Sequence, residues 1–427
     1  MPARLPPRVA AAIVVAVTVA AVLAFTLTTG SAAHGGGGAA RVVPPTTSPP
    51  STVTTTTTPG PVAARVSIAA ENARAGTPGW TVQHPSTAGQ LEAYADRVSA
   101  TQGETVRLFV SSTSGTWTAT AYRMGWYGGV LARAVWRSAP QAGVRQPPAT
   151  FTPATGLIQT RWAASLSVPI TSDWTPGDYL FTLVSSKGWD TYVPLTVRDD
   201  TSTAPILIVN AVTTWEAYNL WGGGDLYSLY ASARGAHSGA TRADIVSFDR
   251  PYRLGNGSGD FLGNEEKLVK LVESAGLDVS YTTDVDLAIH PDLLLHHKVI
   301  VSPGHDEYYS TAMRDALEAA RDHGVNLVFL GGNAVYRHIR LQPSALGADR
   351  EVVNYRVAAL DPLRRTDPAE VTVSWRESPV NRPESTLLGE MYQCNPVRAD
   401  LVVTDPGAWI WAGTSIRMGQ HLSLIHI

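Results

Sequence analysis

The strand pattern of this chain changes character at Asp199-Asp200-Thr201-Ser202. Before that point apolar and polar residues alternate in short, turn-punctuated runs, at residues 105–110, 117–122, 164–169 and 179–184. Alternation with period two marks strands with one buried face. After it, Pro205-Ile206-Leu207-Ile208-Val209-Asn210 is almost continuously apolar, the pattern of a strand covered by helices on both sides. Helical spacing at residues 265–275 follows, with Asn264 expected as its cap and Gly276 as its stop. Strands are expected near residues 279–282, 299–302 and 326–330, and again at 371–375 and 401–403. Strand and helix in alternation predict a right-handed parallel sheet. The expected fold class is therefore a β-sandwich (immunoglobulin-like in size) over residues 66–200, followed by an α/β domain over residues 201–421. Within the sandwich, Asp173-Trp174-Thr175-Pro176-Gly177-Asp178-Tyr179 is expected to form a hairpin with Trp174 beneath the turn.

The 427 residues carry a net charge of −3, which gives no electrostatic case for nucleic acid. A single cysteine, Cys394, excludes an internal disulfide and every Cys-rich metal site. Arg4 and Arg8 precede an uncharged run over residues 9–27, so residues 1–33 are expected to be a signal peptide or signal anchor. Residues 34–65, rich in Gly, Pro and Thr, are expected to be a disordered spacer. A secreted or cell-envelope location follows, with membrane contact only through an uncleaved anchor. At the other end, residues 422–427 spell Leu-Ser-Leu-Ile-His-Ile, which one frame of a common transposase sequencing adaptor also encodes. That segment is expected to be adaptor-derived and the second domain incomplete.

The chemistry concentrates in Ser302-Pro303-Gly304-His305-Asp306-Glu307-Tyr308-Tyr309-Ser310. This segment lies between an apolar strand and a helix expected over residues 311–323. Ligands of open α/β sheets bind at that edge. The next strand ends in Gly331-Gly332-Asn333, which sets a second polar group on the same rim. No Gly-x-Ser-x-Gly elbow, phosphate loop or His-Glu-x-x-His pattern occurs. His305 and Glu307 are two apart and project to one side of an extended segment. The insert over residues 212–263 is long for a compact domain and rich in tyrosine, so phenols can close over that pair. Phenolate and carboxylate oxygens favour a hard, highly charged cation such as Fe(III) over zinc.

Several motifs recur together: Glu92-Ala93-Tyr94-Ala95-Asp96, Tyr122-Arg123-Met124-Gly125-Trp126-Tyr127-Gly128-Gly129, Trp215-Glu216-Ala217-Tyr218-Asn219 and Arg250-Pro251-Tyr252, besides the two rim segments. With them, residues 72–420 resemble the large (beta) subunit of N,N-dimethylformamidase and its relatives. The resemblance implies a second domain like the class I glutamine amidotransferase fold, without its cysteine nucleophile. It also implies one mononuclear Fe(III) held by two tyrosines and a glutamate, which by motif are Tyr218, Tyr252 and Glu307. His305 and Asn333 then lie behind the ligands or at the substrate, a small-molecule amide. The implied reaction is amide hydrolysis, with Fe(III) polarising the carbonyl and supplying hydroxide. Asn333 orients the carbonyl, and His305 passes a proton to the leaving amine. A small partner subunit or a homo-oligomer is compatible with the family pattern. An export leader argues against dimethylformamide itself as the substrate.

The competing class is a non-catalytic secreted or envelope binding protein whose sandwich is the recognition domain. In that case Tyr218 and Tyr252 pack on the sheet, Glu307 caps the following helix, and Asn333 is a turn residue. Convergence of Tyr218, Tyr252 and Glu307 within reach of one ion separates the two classes.

Overall fold

Val106, Leu108 and Val110 are buried while Thr105 and Arg107 are exposed, so the Thr105–Ser112 strand begins by alternating as its sequence requires. The computed structural model describes residues 66–229, 241–393 and 400–422. The expected leader, spacer, Cys394 and residues 423–427 lie outside the described residues. Among the described residues no helix is long and apolar enough to cross a membrane.

Leu91–Ala95, Thr105–Ser112 and Leu166–Pro169 form one antiparallel sheet. A larger sheet runs Ser99–Thr101, Asp190–Arg198, Gly177–Ser185, Thr116–Met124 and Ala132–Arg137. One core fills the space between them, with Leu91, Leu108 and Val110 from the first sheet meeting Ala119, Phe181 and Leu195 from the second. The 173–179 segment is not a hairpin, because the strand before it lies in the first sheet and the strand after it in the second. Trp174 does pack under it, 2% exposed and tilted against the Tyr179 ring at 4.9 Å. The true hairpin joins Gly177–Ser185 to Asp190–Arg198. Both of its strands are buried on nearly every residue, since their outer face is covered by the second half of the chain. Residues 190–198 do alternate, with Val193, Leu195 and Val197 in the core, but Pro194 within the run marks it in sequence as an edge or a break.

The second half is built on a parallel sheet ordered Val279–Thr283, Ile206–Asn210, Val299–Ser302 and Asn326–Phe329. All five residues of Ile206–Asn210 are buried, as a central strand between covered faces demands. A second sheet pairs Ile245–Ser247, Gly347–Val353, Arg337–Ser344 and Tyr308–Ser310. Three local expectations are corrected. Asn264 does not cap a helix: its amide reaches Asp260, a π-turn occupies Phe261–Glu265, and the α-helix is Glu266–Ser274. Residues 371–375 are no strand but a buried core segment, with Trp375 0% exposed against His338. The 401–403 strand shortens to Leu401–Val402, paired with His421–Leu422.

Both sheet systems lie within one compact unit spanning Ile68–Pro406. Buried polar contacts join them. Arg123 of the Thr116–Met124 strand bonds Glu273 of the Glu266–Ser274 helix at 2.8 Å and 3.0 Å, both side chains fully buried. Asn72 bonds Glu273 at 2.8 Å and accepts from the Trp126 and Tyr127 amides. The Tyr-Arg-Met-Gly-Trp-Tyr motif is thus a strap between the two halves.

Candidate metal centre

Parallel strands leave ligand sites where neighbouring strands diverge to opposite sides. Here that point lies between the carboxyl ends of Ile206–Asn210 and Val299–Ser302, whose chain continuations lead to Tyr218 and Glu307. After Ser302 the chain is held very close to the next strand's loop. A Cβ on Gly331 would lie 1.9 Å from the Gly304 carbonyl oxygen, so neither rim could carry a side chain there. Asp306 turns inward, accepting from the Ser302 and Tyr309 hydroxyls. Its neighbours His305 and Glu307 therefore face the other way. The Glu307 amide donates to the Thr214 hydroxyl oxygen at 2.9 Å, which ties this loop to the Val212–Ala217 helix.

Tyr218 follows that helix directly, and a buried ion pair fixes its turn. The Arg250 guanidinium donates to Glu216 at 2.7 Å and to the Asn219 and Gly224 carbonyls at 2.8 Å each. Asn219 in turn donates to the Pro251 carbonyl. At the other end of the same loop, Asp225 accepts from the Tyr227 and Ser228 amides, and Leu226 bonds the Ala217 carbonyl. These bonds set the Tyr227 ring on Tyr218, with centroids 4.4 Å apart.

Three oxygens meet as a result. The Tyr218 hydroxyl is 2.7 Å from the Tyr227 hydroxyl and 3.0 Å from Glu307 Oε2, and Tyr227 reaches the same Oε2 at 2.8 Å. His305 Nε2 stands 3.1 Å from the Tyr218 hydroxyl and 3.3 Å from Oε2. Tyr308 donates to Tyr227 at 2.8 Å, and Arg337 Nε lies 3.5 Å from the far oxygen of Glu307.

Tyr252 is not part of this group. Its ring is half-buried, edge-on to Trp215 at 6.3 Å, and its buried hydroxyl has no hydrogen-bond partner. It lines a cavity of about 30 Å³ with Asp178, Asn210 and Arg350. The physical reason is that Arg250 and Pro251 are committed to the Tyr218 loop, so the next ring packs behind that loop. Sequence reasoning missed Tyr227, whose only signal is its place after Gly222-Gly223-Gly224 in the tyrosine-rich insert. Asn333 is half-buried on the rim with a left-handed φ of 42°, directly after Gly331 and Gly332. His305 bonds the Gly332 backbone, which joins the two rim segments.

Burial opposes the charge on Glu307, yet hydrogen bonds from His305 and Tyr227 and the His305 and Arg337 charges hold its carboxyl below the usual range. Burial likewise opposes charging His305, but Glu307 lifts it above its ordinary value. Burial and the Glu307 charge push the Tyr218 and Tyr227 phenols up. Both are neutral unless a cation replaces their protons.

Among the described residues no three His, Cys, Asp or Glu side chains gather as a metal site. The Glu307 group is a different donor set, two phenols and one carboxylate. Its oxygens are 2.7–3.0 Å apart. Ligands at about 2.0–2.1 Å from a small octahedral cation have neighbour spacings of about 2.9 Å. Two phenolates and a carboxylate would carry three negative charges, matched by a trivalent hard ion. The residues fit such an ion.

The fold thus sets an oxygen-rich, histidine-flanked cluster where the strands of a parallel sheet diverge. Residues 118–426 match the family described as N,N-dimethylformamidase beta subunit-like, C-terminal, and the chain belongs to that family. No curated protein matches the chain. Among solved structures, murine CEACAM1b is similar at 11% identity over 29% of this chain, with a TM-score of 0.15. The chain spans 62% of that structure's length, and a likeness so slight has no bearing on the fold.

Proposed function

We propose that the protein is a metal-dependent amide hydrolase whose Tyr218, Tyr227 and Glu307 hold one ferric ion. The observation that carries this is the convergence of three hard oxygen donors within 3.0 Å of one another. Family membership supports an amidase at the coarse level. A ferric ion held there supplies a Lewis acid for the amide carbonyl and acidifies a water. The protein's own residues do the rest. Glu307 and the two phenols set the charge of the pocket, and His305, already bonded to two of them, donates a proton to the departing amine nitrogen. Asn333, on the rim that His305 grips, orients the carbonyl oxygen.

The broader architecture belongs to the same proposal. Residues 66–200 are an immunoglobulin-like sandwich, supported by their two sheets around one core. Residues 201–421 are a class I glutamine amidotransferase-like domain, supported by the parallel strand order and the position of the cluster. Residues 1–33 export the protein, residues 34–65 space it from the envelope, and a small partner subunit or a second copy completes the assembly.

The test is amine release from a panel of N-substituted formamides and simple amides by the iron-loaded full chain. Release by the wild type and none by the His305→Gln variant supports the proposal. Iron-bound wild type that hydrolyses no amide would assign the site to binding or to other chemistry.

A further inference from the structure

Arg356 reaches the cluster from outside the two rim segments and belongs to none of the motifs read in the sequence. Its guanidinium lies over the Tyr227 ring, 4.1 Å from the centroid. The Tyr218 ring stacks on Tyr227 at 4.4 Å. Two groups that close cannot share one face, so Tyr227 is gripped between Tyr218 and Arg356. The same guanidinium donates to the Tyr308 hydroxyl at 3.0 Å. Arginine is a donor only, so the Tyr308 oxygen must accept from it. The Tyr308 proton is then committed to the Tyr227 oxygen, 2.8 Å away, and the Tyr227 proton to Glu307 Oε2. One residue thereby sets both the plane of the Tyr227 ring and the direction of its hydrogen bonds.

The backbone is bent to achieve this. Arg356 has a φ of 61°, in the left-handed region that long side chains rarely occupy. Its amide donates to the Thr372 carbonyl at 2.8 Å and its Nε reaches Asn354. Asn354 is fully buried and bonded to the His338 carbonyl. The strained residue is held from below while its side chain points at Tyr227.

We infer that Arg356 is a positioning residue for the metal centre: it clamps Tyr227 and, through Tyr308, makes it the weaker-donating of the two phenol ligands. The inference rests on the ferric site proposed above. A cation over an aromatic face withdraws electron density from the ring, and a donated hydrogen bond at the phenolate oxygen does the same. Tyr218 has the His305 contact but no guanidinium over its ring among the described residues.

The experiment is the visible phenolate-to-iron absorption and the iron affinity of the full chain, measured for wild type, Arg356→Gln, Arg356→Lys and Tyr308→Phe. Removing the guanidinium raises the energy of the phenolate donor electrons, so Arg356→Gln should move the band to longer wavelength. The Tyr227 ring is then no longer held in place for the ion, so iron should bind more weakly by up to about tenfold, the scale of re-ordering one side chain, although the freed phenolate is the better donor. Arg356→Lys, which keeps the charge without the planar fork, should fall between the two. Tyr308→Phe should shift the band the same way with Arg356 still in place. An Arg356→Gln protein that folds and keeps the wild-type band and affinity overturns the inference. If that variant fails to fold, an unchanged band in Tyr308→Phe overturns it instead. A wild type that binds no iron removes the ferric site itself and this inference with it.

Discussion

Tyr227 and Glu307, 80 residues apart in the chain, meet at 2.8 Å on the divergence edge of the parallel sheet. Tyr227→Phe should therefore abolish iron binding, as should Tyr218→Phe. Tyr252→Phe should leave iron at the wild-type level. Deleting its unpartnered hydroxyl should also be neutral or stabilising by about 1 kcal/mol. Iron analysis and urea midpoints of the three variants check this, and loss of iron in Tyr252→Phe alone would restore the ligand set expected from the motifs.

The Glu216–Arg250 pair is fully buried and positions the Tyr218 turn. Removing one partner leaves an uncompensated buried charge, which costs about 3–5 kcal/mol. Arg250→Met should lower the denaturation midpoint accordingly and weaken iron binding, although Arg250 touches no proposed ligand oxygen. A variant of wild-type stability would show that the turn is held by other contacts.

Gly331→Ala forces a methyl group against the Gly304 carbonyl oxygen. Overpacking of that kind costs about 1–3 kcal/mol, and here it pushes apart the loops bearing His305 and Asn333. Amide turnover should fall by much more than stability does. Undiminished amide turnover in Gly331→Ala would mean that the rim spacing does not matter to the proposed chemistry.

Asp178 ties the two halves of the fold through Asn210. Burial lifts its carboxyl to about 7, hydrogen bonds from Asn210 and Thr196 offsetting part of the rise, against 3.8 for an ordinary aspartate. Between those values the unfolded chain has lost this proton and the folded chain has kept it. Stability from this group therefore falls as pH rises from about 4 to about 7, by up to about 4 kcal/mol, and is level above. Asp178→Asn should remove that slope, gaining on the wild type as pH rises. Urea denaturation at pH 5 and pH 7.5 measures it, and parallel profiles for the two proteins would contradict it.

The parallel sheet and its polar edge were legible because residues 206–209 are apolar throughout and because His305 and Glu307 sit between strand and helix. Asp190–Arg198 was obscured by Pro194, which interrupts an otherwise alternating run of Val193, Leu195 and Val197. Tyr227 escaped notice for a different reason. Its approach to Glu307 depends on an Asp225-centred turn and on Arg250 reaching across the loop, and neither contact leaves a periodic trace in sequence. Tyr252 belongs to a motif, but that motif's work is done by Arg250 and Pro251. Arg356 was invisible because its position comes from a left-handed turn at the end of Gly347–Val353.

The most direct test of the metal centre is iron content and the visible spectrum of the full chain beside its Glu307→Ala variant. Wild-type protein should carry about one iron per chain and show a phenolate absorption band, and the variant should lose both. Folded wild-type protein that takes up no iron and stays colourless, or a Glu307→Ala variant that keeps both, would contradict it.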